Sequence, residues 1–337
     1  MFGLLKSCVK SVLDRRQGLI EKNCALDVHQ LLDGEVLHMV DVGASGGILP
    51  RWRPYRADIS FVGLEPDRRS YEALLQADEA REFHAYRLIP SGAWEADQKI
   101  AISFTRKPTC SSHYPPNMPF LSRFPDAERF DIVAAGEVDC GTLDRLLADP
   151  GTQVDFIKLD LEGGELAVLT GARRTLATCI GLHVEVCFRQ LRLGQPLFGP
   201  ITEFLDRLGL EFIDFVTIMR WERDHYRGIG QAVAADALYL RSPESMIELV
   251  KAGVLDTAKL KRYLATLAIY GRCDLAGKTL DLAAAAGLLG DEGYRRGARA
   301  VFARQQAELS RRAKFLARVS YVYSRWTNPN SSLHYIY

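Results

Sequence analysis

The chain has 337 residues, of which 47% are hydrophobic, and its 43 Lys and Arg nearly balance its 42 Asp and Glu, for a formal net charge of +1. This length suits one large α/β domain with a smaller appendage, and the balanced charge gives no reason to expect a nucleic-acid partner. Seven cysteines without a C-x-x-C pair argue against a disulfide framework or a thiolate zinc site and indicate a reducing compartment. No secretion signal and no run of about 18 apolar residues is recognisable, so we expect a cytoplasmic protein without a transmembrane segment.

From residue 34 to residue 242, short apolar runs alternate with helical patterns. The predicted strands, in chain order, are VLHMVDVG, ISFVGLEPD, FHAYRLIP, DFIKLDL, IGLHVEVCF, LEFIDFVTIMRW and AVAADALYLR. Strands separated by helices predict a mostly parallel sheet with helices on both faces, and the last two strands are expected to pair as a hairpin. The ligand site of such a sheet lies beyond the carboxyl ends of its strands.

Other segments have different patterns. Residues 1–33 are expected to form an N-terminal helical segment, and residues 243–337 show helical patterns only, which predicts a C-terminal helical region. Residues 290–325 carry eight Arg and one Lys against one Asp and two Glu, a balance typical of a solvated helix face. KIAISFTR is expected to be extended, and residues 106–136 lack a clear period, which predicts a long functional loop. GTLDRLL is expected to be a short helix capped by Thr142, and GELAVLTGARRTLATC a single helix.

The first predicted strand ends in VDVGASGG, a turn with three glycines. Without a Cβ, glycine lets backbone N–H groups come close to a ligand. The nicotinamide-type pattern G-x-G-x-x-G fails when it is started at Gly43, because Ser45 and Ile48 stand where it requires glycine. This failure disfavours a nucleotide-binding oxidoreductase.

A second template, acid-x-G-x-G-x-G, fits the same turn at Asp41, Gly43 and Gly47, with Ser45 in place of the middle glycine. This template is the first motif of class I methyltransferases. Glu65 ends the second predicted strand, where such a fold needs an acid to accept both ribose hydroxyls of S-adenosylmethionine, and a carboxylate can accept two hydrogen bonds at once. The alternative for Glu65 is a capping acid at a strand–helix turn.

The chain resembles the FkbM-type family of S-adenosylmethionine-dependent methyltransferases over roughly residues 35–240. The resemblance rests on six segments in the order of the family, which are VDVGASGG, FVGLEPDRRSYEALL, TCSSH, GTLDRLL, VDFIKLDLEGGELAVLTGA and GLHVEVCF. It implies an α/β class I methyltransferase fold with a mostly parallel, seven-stranded, Rossmann-like sheet, and S-adenosylmethionine as the cofactor. It also implies O-methylation of a hydroxyl on a sugar or on a glycosylated or polyketide-type secondary metabolite. The cofactor-binding residues assigned on this basis are Asp41, Gly43, Ala44, Ser45, Gly47, Glu65, Pro66, Asp67 and Ser91.

Acids and a histidine stand near the ends of the fourth and fifth predicted strands. Asp160 ends the fourth strand and Glu162 follows it, and strand alternation places His183 and Glu185 on one face of the fifth. Methyl transfer to a hydroxyl requires a positioned acceptor and removal of its proton, so we interpret these four residues as a proton-accepting cluster. Mg²⁺ held by Asp160, Glu162 and Glu185 is the alternative. His113, in the loop TCSSHYPPN, is a second candidate base.

Several nearby side chains have a structural interpretation instead. Glu165 is expected to cap the helix that begins at the paired glycine, where the helix dipole favours negative charge. Lys158 is expected to be an internal partner for one of the acids. Trp52 and Tyr55 are more typical of packing than of stacking on a ligand.

Two functions stay open from the sequence. The first is a methyltransferase that takes a small-molecule or saccharide acceptor, and the second is a non-catalytic methyltransferase-fold scaffold that docks a partner or an anionic surface through its basic helical tail. The joint presence of Asp41, Gly43, Glu65, Asp160 and Glu185 favours the enzyme. The apolar faces of the tail helices allow packing within one subunit or assembly into a homo-oligomer.

Overall fold

The computed structural model describes residues 24–149, 152–223 and 228–327, and it describes side chains in the last helix as far as residue 311. Within the expected N-terminal helical segment, residues 24–32 form a helix (α1), and the earlier residues lie outside the described range. The last residues of the expected C-terminal helical region, 328–337, also lie outside it.

A seven-stranded sheet forms the centre of the structure. Its strands, in spatial order, are β3 (Ala85–Ile89), β2 (Ile59–Leu64), β1 (Leu37–Val42), β7 (Phe156–Leu159), β8 (Gly181–Cys187), β10 (Gln231–Leu240) and β9 (Glu211–Trp221). The first five strands in this order run parallel, whereas β10 is antiparallel to both of its neighbours. This order confirms the predicted class I methyltransferase fold and the predicted pairing of the last two strands. Strands are added in one direction from β1 to β3 and in the other direction from β7 onward. The carboxyl ends of β1 and β7 therefore border the crevice where ligands bind in such sheets.

Helices cover both faces of this sheet. One face packs against α1 and the C-terminal helices α8 (Pro243–Lys251), α9 (Thr257–Ile269), α10 (Cys273–Ala285) and α11 (Glu292–Thr327). The other face packs against α4 (Leu143–Leu146), α5 (Glu165–Thr170), α6 (Arg173–Thr178) and α7 (Phe198–Asp206). Two more helices, α2 (Arg68–Gln76) and α3 (Met118–Leu121), lie in the segments after β2 and before β6 (Ile132–Gly141). In the part of the chain that the structure describes, none of these helices has the length and apolar character to cross a bilayer.

The sequence explains the central strands and the helix starts. β7 alternates between the two cores, since Phe156 packs on the side of the C-terminal helices and Ile157 on the opposite side, as expected for a strand buried on both faces. Ser242 caps α8, with its side chain accepting a hydrogen bond from the Ser245 N–H, and Pro243 occupies the first turn. The Thr142 side chain accepts from the Arg145 N–H, as predicted for the cap of α4.

Three local predictions were incomplete or wrong. KIAISFTR is extended but lies outside the main sheet, where β5 (Gln98–Thr105) pairs with β6 in a second sheet completed by β4 (Gly92–Ala93). The loop expected to run to residue 136 ends earlier, because β6 begins at Ile132 and its exposed run of small apolar residues lacks a polar–apolar alternation. The single helix expected after β7 is split into α5 and α6 at Gly171, where a Cβ would lie 2.3 Å from the Trp94 carbonyl oxygen.

A buried charge group fixes the C-terminal helices to the amino end of β7. Asp155 is fully buried, and its Oδ1 lies 2.6 Å from Lys259 Nζ and 3.3 Å from Arg262 Nε, both from α9. Its Oδ2 accepts from the His38 N–H at 2.8 Å, and Lys259 Nζ also donates to the Val154 carbonyl at 2.6 Å. Because these charges are paired and hydrogen-bonded, removing one partner leaves the others buried with less compensation.

We therefore expect Lys259→Ala to lower the free energy of unfolding by about 3 kcal/mol. Lys278→Ala is the matched control, because Lys278 is exposed and lies 3.8 Å from Glu244, and such a pair contributes about 1 kcal/mol or less. Urea unfolding of both variants beside the wild type measures the difference. Equal losses of stability in the two variants would contradict the role given to the buried group.

Candidate active site

The glycine turn after β1 lies directly against the end of β7. Gly43 has a φ of +80°, and a Cβ added there would lie 2.4 Å from the Asp160 carbonyl oxygen. Gly46 has a φ of +87°, with no atom within 4 Å of the position of an added Cβ. Glycine is therefore required at residue 43 by close backbone approach and at residue 46 by conformation, and the turn is open on the side of Gly46.

The side chain of Lys158 contacts this turn and the acids on either side of it. Its Nζ donates to the Gly43 carbonyl at 2.9 Å and lies 3.1 Å from Asp41 Oδ1 and 3.6 Å from Asp160 Oδ2. Asp41 is fully buried, and this burial raises its pKa to about 6, although the positive charge of Lys158 acts in the opposite direction. Lys158 is thus the internal partner of two acids, as the sequence predicted.

Glu65 occupies the carboxyl end of β2, next to the same turn. Its Oε1 accepts from the Asp67 N–H at 2.8 Å, and burial raises its pKa while backbone N–H groups of Asp67 and Ser45 lower it. The Asp67 side chain in turn caps α2 by accepting from the Ser70 N–H. A carboxylate offers about four acceptor positions, so two backbone donors leave Glu65 able to accept from a ribose diol. The acceptor positions of Glu65 therefore fit the ribose of the cofactor that the sequence implies.

The other residues assigned to the cofactor border the same edge of the sheet. Ala44 is buried, and its N–H donates to the Leu64 carbonyl at 3.1 Å. Pro66 is exposed beside Glu65. Ser91 follows β3, and its hydroxyl donates to the Gly92 carbonyl at 2.9 Å.

Three carboxylates meet at the carboxyl ends of β7 and β8. Asp160, Glu162 and Glu185 each bring one oxygen within 4.8 Å of the others. Burial raises the pKa of Glu185 well above its usual range, and the negative charges of Glu162 and Asp160 raise it further. Among the residues that the structure describes, no hydrogen bond or ion pair engages the Glu185 side chain. This group can therefore accept a proton or hold a divalent cation through oxygen ligands.

Glu162 is held in an uncommon conformation by two neighbouring segments. Its φ of +56° is in the left-handed region, which costs a non-glycine residue about 1 kcal/mol or more. Its carboxylate forms an ion pair with buried Arg192, and its carbonyl accepts from the Ser112 hydroxyl at 2.8 Å. Arg192 also donates to the Cys110 carbonyl at 3.0 Å. Burial raises the pKa of Glu162 to about 7 even though Arg192 opposes the shift.

His183 lies on the same face of β8 as Glu185, as strand alternation predicted, but the structure does not bring it into the carboxylate group. Its Nδ1 lies 3.2 Å from the Tyr270 hydroxyl, and its Nε2 lies 3.5 Å from Asp236 Oδ1. The ring is buried and turned toward the C-terminal helices. The ring therefore lies next to Tyr270 and Asp236 and is not part of the group formed by the three carboxylates.

His113 is exposed on the loop that crosses the turn between β7 and α5. Its Nδ1 lies 2.9 Å from the Ala101 carbonyl oxygen, and its ring stands edge-on to Trp94 and Tyr114. The Tyr114 ring reaches within 3.2 Å of the position that a Cβ of Gly163 would take. The loop is therefore packed against the turn that carries Glu162.

The residues given a structural interpretation do pack or cap. Glu165 is buried at the start of α5, where its Oε1 accepts from the N–H groups of Leu161 and Gly163 at 2.9 and 3.2 Å. It therefore stabilises the turn before the helix, and its own N–H at the first residue of α5 also favours the charged carboxylate. Trp52 and Tyr55 are buried in the core between the sheet and the C-terminal helices.

Sequence reasoning missed two charged residues beside this group. Asp236 of β10 is directly opposite Glu185 and accepts a hydrogen bond from the Thr217 hydroxyl. The signal was available, because Asp236 is the only charged residue before the last position in AVAADALYLR. Arg192, the partner of Glu162, had no distinguishing signal in its segment.

The raised pKa values predict how stability depends on pH. The folded state keeps protons on Glu162 and Glu185 at pH values where an unfolded glutamate, with a pKa of 4.5, has lost them. Because the folded state binds more protons, stability falls as pH rises from about 4.5 through 7. In metal-free buffer with EDTA, we expect Glu185→Gln to be about 1 kcal/mol more stable than the wild type at pH 8 and to show a flatter pH dependence.

Urea unfolding between pH 5 and pH 8 tests this expectation. Glu248→Gln, a change of the same type at an exposed position on α8, is the control and should leave the pH dependence unaltered. A Glu185→Gln protein less stable than the wild type at pH 8 would show that the carboxylate is not destabilised by its surroundings.

Residues 62–212 match the family model described as the Methyltransferase FkbM domain. The match begins in β2 and ends in β9, so it includes Glu65 and the three carboxylates but not the glycine turn after β1. The comparison with curated proteins finds no match.

Solved structures give weaker similarities. Magnesium protoporphyrin IX methyltransferase from Synechocystis PCC 6803 with bound SAM is 13% identical, with a TM-score of 0.34, 68% of this chain covered and 82% of that one. A TehB-like SAM-dependent methyltransferase from Corynebacterium glutamicum is 12% identical, with a TM-score of 0.31 and coverages of 70% and 100%. N-methyltransferase NodS from Bradyrhizobium japonicum is 8% identical, with a TM-score of 0.33 and coverages of 64% and 93%.

These sequence identities and TM-scores are too low to support an assignment. The assignment rests instead on the strand order and on the match to the family model. The strand order is that of class I methyltransferases, and the matched range contains the strand-end acids. Residues 62–212 are therefore similar to the Methyltransferase FkbM domain, and they lie in a sheet with the strand order of class I methyltransferases.

Proposed function

We propose that this chain is an O-methyltransferase that methylates a hydroxyl of a sugar or of a glycosylated secondary metabolite. The observation that carries the proposal is the group of Asp160, Glu162 and Glu185, whose oxygens lie within 4.8 Å of one another. A hydroxyl must lose its proton as it is methylated, so the acceptor side of the site needs a base or a metal ion. The three carboxylates can either act as the base or bind the metal ion.

The cofactor side is assigned to the ends of β1 and β2. S-adenosylmethionine supplies an activated methyl group when it is bound. Glu65 would accept hydrogen bonds from the ribose hydroxyls, and the open glycine turn would allow close approach of the backbone. Lys158 would keep that turn at a constant distance from Asp160. The role of the protein is then mainly to orient the two reactants.

Glu185 is our first choice for the proton acceptor. It has no hydrogen bond or ion pair among the described residues, and its raised pKa brings proton affinity toward the range that general bases need. Glu162 is less available because Arg192 engages its carboxylate. His183 faces Tyr270 and Asp236, which leaves His113 as the second candidate base.

A magnesium ion bound by the same three carboxylates is the alternative to a base. Mg²⁺ prefers oxygen ligands and would relieve the repulsion between the acids while lowering the pKa of the acceptor hydroxyl. The assembled acids support either enzymatic alternative over a non-catalytic scaffold. The cytoplasmic setting and the lack of a nucleic-acid partner stay predictions from composition.

Isothermal titration with S-adenosylmethionine and S-adenosylhomocysteine tests the cofactor side. We expect micromolar binding that Glu65→Ala weakens at least about tenfold, because the ribose hydroxyls lose their acceptor. Glu72→Ala is the matched control, since Glu72 is exposed on α2 and pairs only with Arg68 among the described residues. Binding of NADH in place of both sulfur compounds would contradict the proposal.

Transfer of labelled methyl groups to a panel of glycosides tests the acceptor side. We expect Glu185→Gln to lower kcat about 100-fold while binding of S-adenosylhomocysteine is unchanged. Activity lost in EDTA and restored by Mg²⁺ would favour the metal, and activity that is insensitive to EDTA would favour the base. Full activity of Glu185→Gln under both conditions would overturn the role given to this residue.

A further inference from the structure

A groove with a volume of about 320 Å³ lies just beyond the carboxyl end of β8. The residues that line it include Phe120, Phe188, Arg123 and Arg189. Amide side chains of Asn117 and Gln190 complete the polar part of the lining, which contains no acidic residue. The groove therefore combines apolar walls with hydrogen-bond donors and a positive charge.

The groove is built on the two segments that hold Glu162 in place. The Asn117 N–H donates to the Leu191 carbonyl at 2.9 Å, and the Asn117 side chain donates to the Gln190 carbonyl at 2.8 Å. Pro116, the residue before Asn117, forms an antiparallel bridge with Arg192, the residue after Leu191, and Arg192 is the partner of Glu162. The same scaffold thus joins the groove to the carboxylate group.

The two arginines of the groove are fixed by one aromatic ring. The guanidinium carbons of Arg123 and Arg189 lie 5.4 and 5.7 Å from the centre of the Phe120 ring. Stacking on a ring orients a guanidinium while leaving its N–H groups free to donate at the edges. Arg123 Nε donates to the Pro119 carbonyl at 3.2 Å, and no other hydrogen bond engages its guanidinium among the described residues.

Neither arginine of the groove is neutralised by a carboxylate, a property that they share with other exposed arginines such as Arg53 and Arg69 among the described residues. In the part of the chain that the structure describes, neither Arg123 nor Arg189 forms an ion pair with a carboxylate. By contrast, Arg207 pairs with Glu203, and Arg299 lies 2.6 Å from Asp281. Two like charges on one ring, in a groove whose lining residues include no acid, are complementary to a bound anion.

We propose that this groove binds a phosphate group of the methyl acceptor, so that the substrate is a phosphorylated or nucleotide-linked sugar rather than a neutral glycoside. The proposal rests on the proposed function, because it assigns the acceptor for the same site. A phosphate ester presents several oxygens and up to two negative charges, which match two guanidinium forks and two amide side chains better than a carboxylate does. Phe120 and Phe188 provide apolar surface for the organic part of the ligand.

Isothermal titration with pyrophosphate, inorganic phosphate and uridine diphosphate tests the groove, and methyl glucoside serves as the neutral reference. The groove variant is Arg123→Gln/Arg189→Gln. The control is Arg207→Gln/Arg299→Gln, which removes the same charge from two exposed, ion-paired arginines. We expect the groove variant to bind pyrophosphate at least about tenfold more weakly, and the control to change by less than about threefold.

Binding of S-adenosylhomocysteine is measured for the wild type and for both double variants. This measurement separates failure of the groove proposal from failure of the proposed function. A groove variant that loses pyrophosphate but keeps S-adenosylhomocysteine supports the proposal. Tighter binding of uridine diphosphate than of inorganic phosphate would indicate a nucleotide-linked acceptor, and equal binding a simple sugar phosphate. Equal weakening in both double variants, or no phosphate binding by a wild type that still binds S-adenosylhomocysteine, would overturn the proposal and leave the methyltransferase assignment intact.

Discussion

The ammonium group of Lys158 connects the parts of the backbone from which the candidate site is made. It is buried between Asp41 of β1 and Asp160 after β7, and it donates to the carbonyl of Gly43 in the glycine turn. The two strands are already paired in the sheet, but the pairing ends before the turns begin. Lys158 extends the connection into the turns, beyond the last paired residues Val42 and Leu159. A charged side chain in this position also compensates the buried Asp41, whose burial alone would favour its neutral form.

The C-terminal helices take part in the site although they follow the methyltransferase sheet in sequence. Tyr270, at the end of α9, places its hydroxyl 3.2 Å from both Trp52 Nε1 and His183 Nδ1. His183 then approaches Asp236, which stands opposite Glu185 in the sheet. Polar contacts therefore connect Asp236, which is opposite Glu185, through His183 to Tyr270 in the helical region. The helices are therefore packed against the face of the sheet that carries the acids, and Asp155 fixes the opposite end of that face.

The fold was accessible from the sequence because strands buried on both faces give short apolar runs, and helices separate these runs. The local parts of the site were accessible for a similar reason, since Asp41, Gly43, Glu65 and Asp160 all stand at strand ends. Side-chain partners that are distant in sequence were not accessible. Tyr270 is 87 residues from His183, and Arg192 is 30 residues from Glu162. The exposed start of β6 was missed because it buries little surface and so has no pattern to display.

The contact between Gly43 and the Asp160 carbonyl has a consequence for how the site can change. Two backbone segments meet at this contact, and there is no room for a side chain at residue 43. The spacing between the glycine turn and the acids is therefore fixed by main-chain geometry and does not depend on the choice of side-chain rotamers nearby. The loop with His113 and the segment after β8 lie outside that contact. Substitutions in these two segments can therefore change the shape of the surface around the acids without changing the distance between the acids and the glycine turn.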